Sequence, residues 1–182
     1  GVQASTCTAS GSYSTAMGDG TTASGDYSTS MGRSTAASAL YSTAMGRSTA
    51  ASALYSTAMG YGTDASGYFS TAMGSSTTAS ALYSTAMGDG TIASGSRSTA
   101  MGSYTTASDY ASLSIGRYNS VNSTVTAGGS AASFDTDNAA FVIGNGTGSS
   151  TKSDAFVVYF NGNATLSGDL TINSDERLKD NI

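Results

Sequence analysis

The sequence predicts an all-β solenoid with fourteen-residue turns, an elongated object in which each repeat is one coil and not a domain. Three observations carry this. Methionine recurs every fourteen residues, at Met17, Met31, Met45, Met59, Met73, Met87 and Met101, with Ile115 in the next slot. Alanine recurs at half that period: from Ala9 to Ser114 every seventh position is Ala, except Ser30 and Ser114. Glycine follows each of those methionines and Ile115.

One turn reads, in consensus, Tyr-Ser-Thr-Ala-Met-Gly-x-x-Thr-x-Ala-Ser-Gly-x, as in Tyr13 to Asp26. A seven-residue period also suits a coiled coil, but that needs apolar residues alternately three and four apart. Here the apolar pair is adjacent, and each internal Gly costs a helix about 1 kcal/mol against Ala. Two short strands per turn fit better, around Thr15-Ala16-Met17 and Thr22-Ala23-Ser24. Side chains alternate across a strand, so Ala16 points opposite to Thr15 and Met17, and Ala23 opposite to Thr22 and Ser24. The near-constant Ala belongs on the crowded side, between two strands folded back on each other. The strand carrying Ser24 then faces solvent.

The methionine face needs a different partner, because the interior of the coil is already filled by Ala. A row of seven Met and one Ile leaves a long apolar stripe on a lone chain, which monomers seldom expose. Burying each Met contributes roughly 1.5–3 kcal/mol. A homo-oligomer with Met17, Met31, Met45, Met59, Met73, Met87, Met101 and Ile115 meeting on a symmetry axis is the economical solution. Ser14 to Ser112 and Thr21 to Thr105 form two hydroxyl columns, placed at turn corners where hydroxyls bond the backbone. A third column holds Tyr13, Tyr27, Tyr41, Tyr55, Phe69 and Tyr83, then Arg97 and Ala111. It reads as packing along the roll's edge between subunits, or as an aromatic ladder for sugars. At about 4.8 Å per stacked strand, eight turns make a rod of roughly 40 Å.

Composition bounds the rest. Of the 182 residues 10% are charged, Pro is absent, and the net charge is −5. Nucleic acid is an unsuitable partner, because phosphate binding needs a basic stripe. Residues 1–118 hold four Arg against five Asp, whereas residues 119–182 hold three positive and seven negative side chains. Acidity therefore concentrates at the C-terminus. Cys7 is the only cysteine, which rules out an intrachain disulfide. It fills a slot taken by Thr in later turns, so it is expected to be a small packed residue. No stretch is long and apolar enough for a membrane helix, so membrane insertion is not expected. No signal-peptide pattern opens the chain, and Gly1 begins inside the repeat, which suggests a longer protein. With no His, no Cys cluster and no phosphate-binding Gly loop before a helix, no metal site and no cofactor is expected.

After Gly116 the pattern fades. Residues 119–138 are polar and Gly/Ser-rich, read as a neck or crossover. Ala139–Ile143 and Ala155–Phe160 are apolar runs bounded by Asn-Gly at 145–146 and 161–162, read as strands in hairpins or an intertwined stem. Ala164–Ile172 is a weaker last strand. The division is thus 1–118 for the roll, 119–138 for the neck, 139–173 for a β-stem and 174–182 for a further segment.

Two resemblances attach to these residues. The Ser-Thr-Ala-Met-Gly blocks at 14–18, 42–46, 56–60, 70–74, 84–88 and 98–102, with Ser112-Leu113-Ser114-Ile115-Gly116, resemble the head repeats of trimeric autotransporter adhesins. That resemblance covers residues 2–118 and implies a left-handed parallel β-roll in a tight homotrimer. Those repeats usually have Val and Ile where this chain has Thr and Met. Ser174-Asp175-Glu176-Arg177-Leu178-Lys179-Asp180-Asn181-Ile182 is similar to the opening of the endosialidase-type intramolecular chaperone domain, which ends many phage tail fibres and tailspikes. That family assembles a trimer and then cuts itself before the Ser. The resemblance implies Ser174 as nucleophile and Lys179 as its base in the full-length chain, and no other enzymatic activity. Together they imply an attachment module, extracellular or on a virion surface, which binds itself as a homotrimer and a cell-surface glycan or protein receptor. The alternatives are a bacterial or cellular surface adhesin, or the non-catalytic part of a fibre with a glycan-cleaving domain upstream. Ligand contacts are expected on variable positions, with Arg33, Arg47, Tyr61, Asp64 and Tyr104 as candidates, because turn positions tolerate change while the frame stays fixed.

Overall fold

The computed structural model describes residues 6–169. Among them every regular element is a strand. The long strands are β2 Thr15–Asp19, β4 Thr29–Arg33, β6 Thr43–Arg47, β8 Thr57–Tyr61, β10 Thr71–Ser75, β12 Thr85–Asp89, β14 Thr99–Ser103 and β16 Leu113–Arg117. Between them lie two-residue strands: β1 Thr8–Ala9, β3 Thr22–Ala23, β5 Ala36–Ala37, β7 Ala50–Ala51, β9 Asp64–Ala65, β11 Thr78–Ala79, β13 Ile92–Ala93 and β15 Thr106–Ala107. β17 Ala139–Asn145, β18 Asp154–Tyr159 and β19 Ala164–Leu166 complete the chain. The odd strands β1 to β15 form one eight-stranded sheet, and the long strands with β17 to β19 form an eleven-stranded one. Pairing within the roll is parallel and offset by fourteen residues, for instance Met45↔Met59 and Ala51↔Ala65. The protein is a parallel β-solenoid of about eight fourteen-residue turns.

The interior is the predicted alanine column. Eleven alanines from Ala37 to Ala107 form one continuous buried core with no accessible surface. Ser30 and Ser114 occupy alanine slots and are equally buried. The Ser30 hydroxyl is satisfied by Thr35 Oγ1 at 2.7 Å, and Ser114 Oγ accepts from Asn122 at 3.1 Å. Both hydroxyl columns are buried from Ser28 and Thr21 onward, and each holds satisfied and unsatisfied hydroxyls. Ser42, Ser56 and Ser84 donate to the carbonyls of Ala39, Ala53 and Ala81 three residues back, at 2.6–2.7 Å. The expectation that corner hydroxyls bond the backbone fails for Ser28 and Ser70 and for Thr21, Thr49, Thr63, Thr77 and Thr91, which have no partner, whereas Thr105 donates to Met101 O at 3.2 Å.

Corners are closed by left-handed residues. The tyrosine column sits at φ 55–58°, and a second corner carries Ser34, Ser48, Ser76 and Tyr104 at φ 52–55°. This conformation costs a non-glycine residue about 1–2 kcal/mol. It points the N–H along the rod, so that Tyr41 N–H donates to Asp26 O and Ser48 N–H to Arg33 O in the preceding turn. The hydrogen-bond ladder thus runs on through both corners. The glycine after methionine has a stricter reason. Gly60 has φ +122°, and a Cβ there would run into the Gly74 carbonyl of the next turn.

Further features depart from expectation. Cys7 is exposed and its thiol points to the Gly18 carbonyl at 2.9 Å. It lies in the first described turn, whose outer edge no described turn covers. The fourteen-residue register also does not end at Gly116. β17 pairs parallel with β16 as Phe141↔Leu113, Ile143↔Ile115 and Gly144↔Gly116, two periods further on. Val142 takes the alanine slot and is buried with Ala139 and Val157. Residues 119–138 are the stretch that leaves the sheet for one turn. β17 and β18 then pair antiparallel, as do β18 and β19. This favours hairpins among the two arrangements open from sequence. The first hairpin turns at Gly148 and Thr151, past Asn145-Gly146, whereas Asn161-Gly162 does form the second turn. Of the expected strand at 164–172, residues 164–166 are extended and residues 170–172 lie outside the described residues. No helix of the described residues is long and apolar enough to cross a membrane.

Candidate functional site

The outer face of the long-strand sheet presents the methionines in strict register. Met17 through Met101 stack directly, and Ile115 and Ile143 continue the column. Each is partly covered by its column neighbours, and Met17 and Met101 remain 54% and 39% exposed. The glycine after each methionine stacks in the same register, from Gly18 to Gly144. At the C-terminal end the face widens, with Phe141 meeting Phe156 edge to face at 6.4 Å.

The structure brings together three of the five binding candidates. Arg33, Arg47 and Tyr61 end the consecutive strands β4, β6 and β8 and pair in register. Arg33 Nε lies 3.7 Å from Asp19 Oδ2, and the Arg47 guanidinium sits 5.5 Å from the Tyr61 ring centre. This is a mixed basic and aromatic corner, well exposed. Asp64 lies on the other sheet, in β9, beside the Ser66 hydroxyl at 3.5 Å. Tyr104 is three turns from Tyr61 and stacks on Tyr118 at 4.8 Å.

The aromatic column is a continuous stack. Tyr13, Tyr27, Tyr41, Tyr55, Phe69 and Tyr83 follow one another with ring centres 4.9–5.1 Å apart and planes within 18°. Arg97 extends it, lying 5.5 Å from the Tyr83 ring and 5.3 Å from Tyr110, and donating to the Tyr110 hydroxyl at 2.9 Å. Each stacked pair contributes about 0.5–1.5 kcal/mol, which offsets the left-handed backbone beneath it. From Tyr27 to Phe69 each ring is stacked on both faces and presents its edge, and Tyr13 at the end of the stack is 82% exposed. A sugar packs against an aromatic face, so the ladder does not offer what the glycan reading required of it. Leu40, Leu54, Tyr68 and Leu82 lie beside the ladder and make the corner apolar over four turns.

A group of amide and carboxylate side chains that pattern reasoning missed closes the roll. The Asn119 carboxamide accepts from Thr106 N–H and donates to Thr106 O, both at 2.8 Å, standing in for the next strand of the short sheet. Asn122 Oδ1 accepts from the N–H groups of Ser108 and Asp109. The fully buried Asp109 carboxylate accepts from Thr126 N–H, the Thr126 hydroxyl and Ala139 N–H at 2.6–2.7 Å. Asn138 pairs with both backbone groups of Ser130, and Asp154 accepts from Ser120 and Val121 N–H. One signal was available: Asp109 occupies a slot that holds Gly or Ala in every other turn, from Gly11 to Gly95. Beside this cap, an open cleft of about 670 Å³ lies between Thr126, Ala127 and Asp137 on one side and Tyr159, Asn163 and Thr165 on the other. Ser174 and Lys179, the candidates for self-cleavage, lie outside the described residues.

No curated protein matches the chain. Residues 9–35, 37–63, 65–91 and 93–119 each match the YadA head domain repeat, described as two copies. Each match thus spans two turns of the roll, and together the four cover more than half of the sequence. The chain belongs to the YadA head-repeat family.

Proposed function

We propose that the chain is a homotrimeric fibre module that attaches to a cell surface through a glycan or protein receptor. YadA head domains are structural, non-catalytic repeats that form homotrimers, and YadA-type adhesins are surface-exposed. The observation that carries the reading is the methionine column, which lies outside an alanine core that has no room for it. Three copies about an axis bury that column and the widened patch at Phe141 and Phe156 beside its C-terminal end. The apolar Tyr/Leu corner then meets the neighbouring subunit, as its edge-on rings suit packing better than sugar stacking. Arg33, Arg47 and Tyr61 stay outside as the receptor-facing corner.

Light scattering after size exclusion tests the assembly. The chain should run as a trimer. Met45→Asp with Met59→Asp should dissociate it, and Ser38→Asp with Ser52→Asp on the opposite sheet should not. A stable monomer overturns the proposal. Attachment is tested by cell binding of Arg47→Ala and Tyr61→Ala, both of which should weaken adhesion without lowering the melting temperature.

The division into roll, neck at 119–138, stem at 139–173 and chaperone start at 174–182 belongs to the same proposal. So does placement on a virion, which rests on the nine residues from Ser174 alone. In the full-length chain Ser174 Oγ attacks the Asn173 carbonyl carbon while Lys179 takes its proton; the Asn173–Ser174 C–N bond breaks as that proton passes to the Ser174 amine, and water hydrolyses the resulting ester to free both ends. A Lys takes a proton only if neutral, which its ordinary pKa of about 10.4 forbids near pH 7. Burial in an assembled trimer lowers that value, so cutting follows correct assembly.

A further inference from the structure

We propose that the cleft beside the cap is a binding site for uncharged oligosaccharides. It rests on the attachment reading for its purpose but stands on its own geometry. Its volume of about 670 Å³ falls within the range of small-molecule sites. A second depression of about 340 Å³ shares Thr126, Ala127 and Tyr159 and runs on past Val121 to Ser120. The two make an elongated trough, which suits a chain of sugar units better than a compact ligand.

The lining has the two kinds of surface a sugar ring needs. Tyr159 packs against the core of Ala139, Val142 and Val157, so its ring is a fixed apolar wall. Opposite and around it stand a carboxylate, two carboxamides and hydroxyls. In the adjoining cap Asp109, Asn119, Asn122, Asn138 and Asp154 all spend their side chains on backbone groups. The side chains of Asp137, Asn163 and Thr165, which line the cleft, bond nothing among the described residues. They are exposed donors and acceptors on the walls of an open cleft that make no hydrogen bond to the fold, and sugar hydroxyls match them. No cationic side chain lines the cleft, and Asp137 repels a second anion. Sialylated and sulfated glycans are therefore excluded in favour of neutral ones. This separates the cleft from the Arg33/Arg47 corner, whose charge favours acidic ligands.

The assembled protein, probed with an array of neutral oligosaccharides including lactose, chitotriose and mannotriose, should bind at least one of them. Sialyllactose should bind at least about tenfold more weakly than lactose. Asp137→Ala and Asn163→Ala, which touch no structural hydrogen bond, should each weaken binding by about tenfold with unchanged melting. Ser52→Ala, exposed on the opposite sheet and lining neither depression, should leave sugar binding unchanged. No neutral glycan bound, or binding indifferent to both cleft variants, overturns the cleft. If cells are still bound and Arg47→Ala abolishes that, the cleft fails while the attachment reading stands. If the cleft binds sugar but the protein adheres to no cell, the attachment reading fails while the cleft stands.

Discussion

Replacing Thr63 with Val should stabilise the protein, and the same substitution at Thr35 should destabilise it. Both residues occupy one column, both are about 1% exposed, and Val preserves the branched shape. Thr63 Oγ1 is buried with no hydrogen-bond partner. A hydroxyl buried that way costs about 1–3 kcal/mol, so its removal should return about 1 kcal/mol, or roughly 2–4 °C for a chain of this size. Thr35 Oγ1 instead bonds Ser30 Oγ at 2.7 Å inside the core. Val at that position leaves the Ser30 hydroxyl buried and alone, at a cost of about 1–3 kcal/mol. The two substitutions should therefore differ by about 2–4 kcal/mol, although their chemistry is the same. Ser30→Ala combined with Thr35→Val removes both hydroxyls of the buried pair and should recover the loss. The assay is thermal or urea unfolding at equal protomer concentration, because the stability of an oligomer depends on it. If Thr63→Val destabilises as much as Thr35→Val, the reasoning about unpartnered hydroxyls is wrong.

Gly60→Ala should cost about 3 kcal/mol or more, since φ +122° and the facing carbonyl both reject a side chain, as measured by unfolding. Gly62→Ser, at φ +61° in the corner where Ser34 and Ser48 sit, should cost about 1 kcal/mol at most. Asp109→Ala should orphan the N–H groups of Thr126 and Ala139 and cost about 3 kcal/mol, with amide exchange accelerated first in residues 120–139. In the full-length protein, masses should show a cut between Asn173 and Ser174 that Ser174→Ala abolishes; a cleaved variant would rule out the Ser174 nucleophile.

What could be read from sequence follows from periodicity. A seven-residue alanine and fourteen-residue methionine spacing, combined with alternation along a strand, determined the turn length, the two sheets, the alanine interior and the outward methionines. Those are properties of phase, and phase is written in one dimension. Arg33, Arg47 and Tyr61 came together for the same reason, being one slot in successive turns. Ser174 and Lys179 are legible only as a motif.

What phase does not encode, the folded chain decided. The tyrosines were visible as a column, but their left-handed backbone and their face-to-face stacking depend on how each corner hands its N–H to the turn before. That geometry removed the sugar ladder. Asp109 stood out only as a foreign residue in a Gly/Ala slot. Its role appears when Thr126 and Ala139, 17 and 30 residues away, close around it. The return of the register at Phe141 was hidden by the stretch that leaves the sheet for one turn. The cleft between Asp137 and Asn163 exists only because a hairpin and that stretch lie side by side. Hydrogen bonds and cavities between segments distant in sequence have no period, so only tertiary structure could place them.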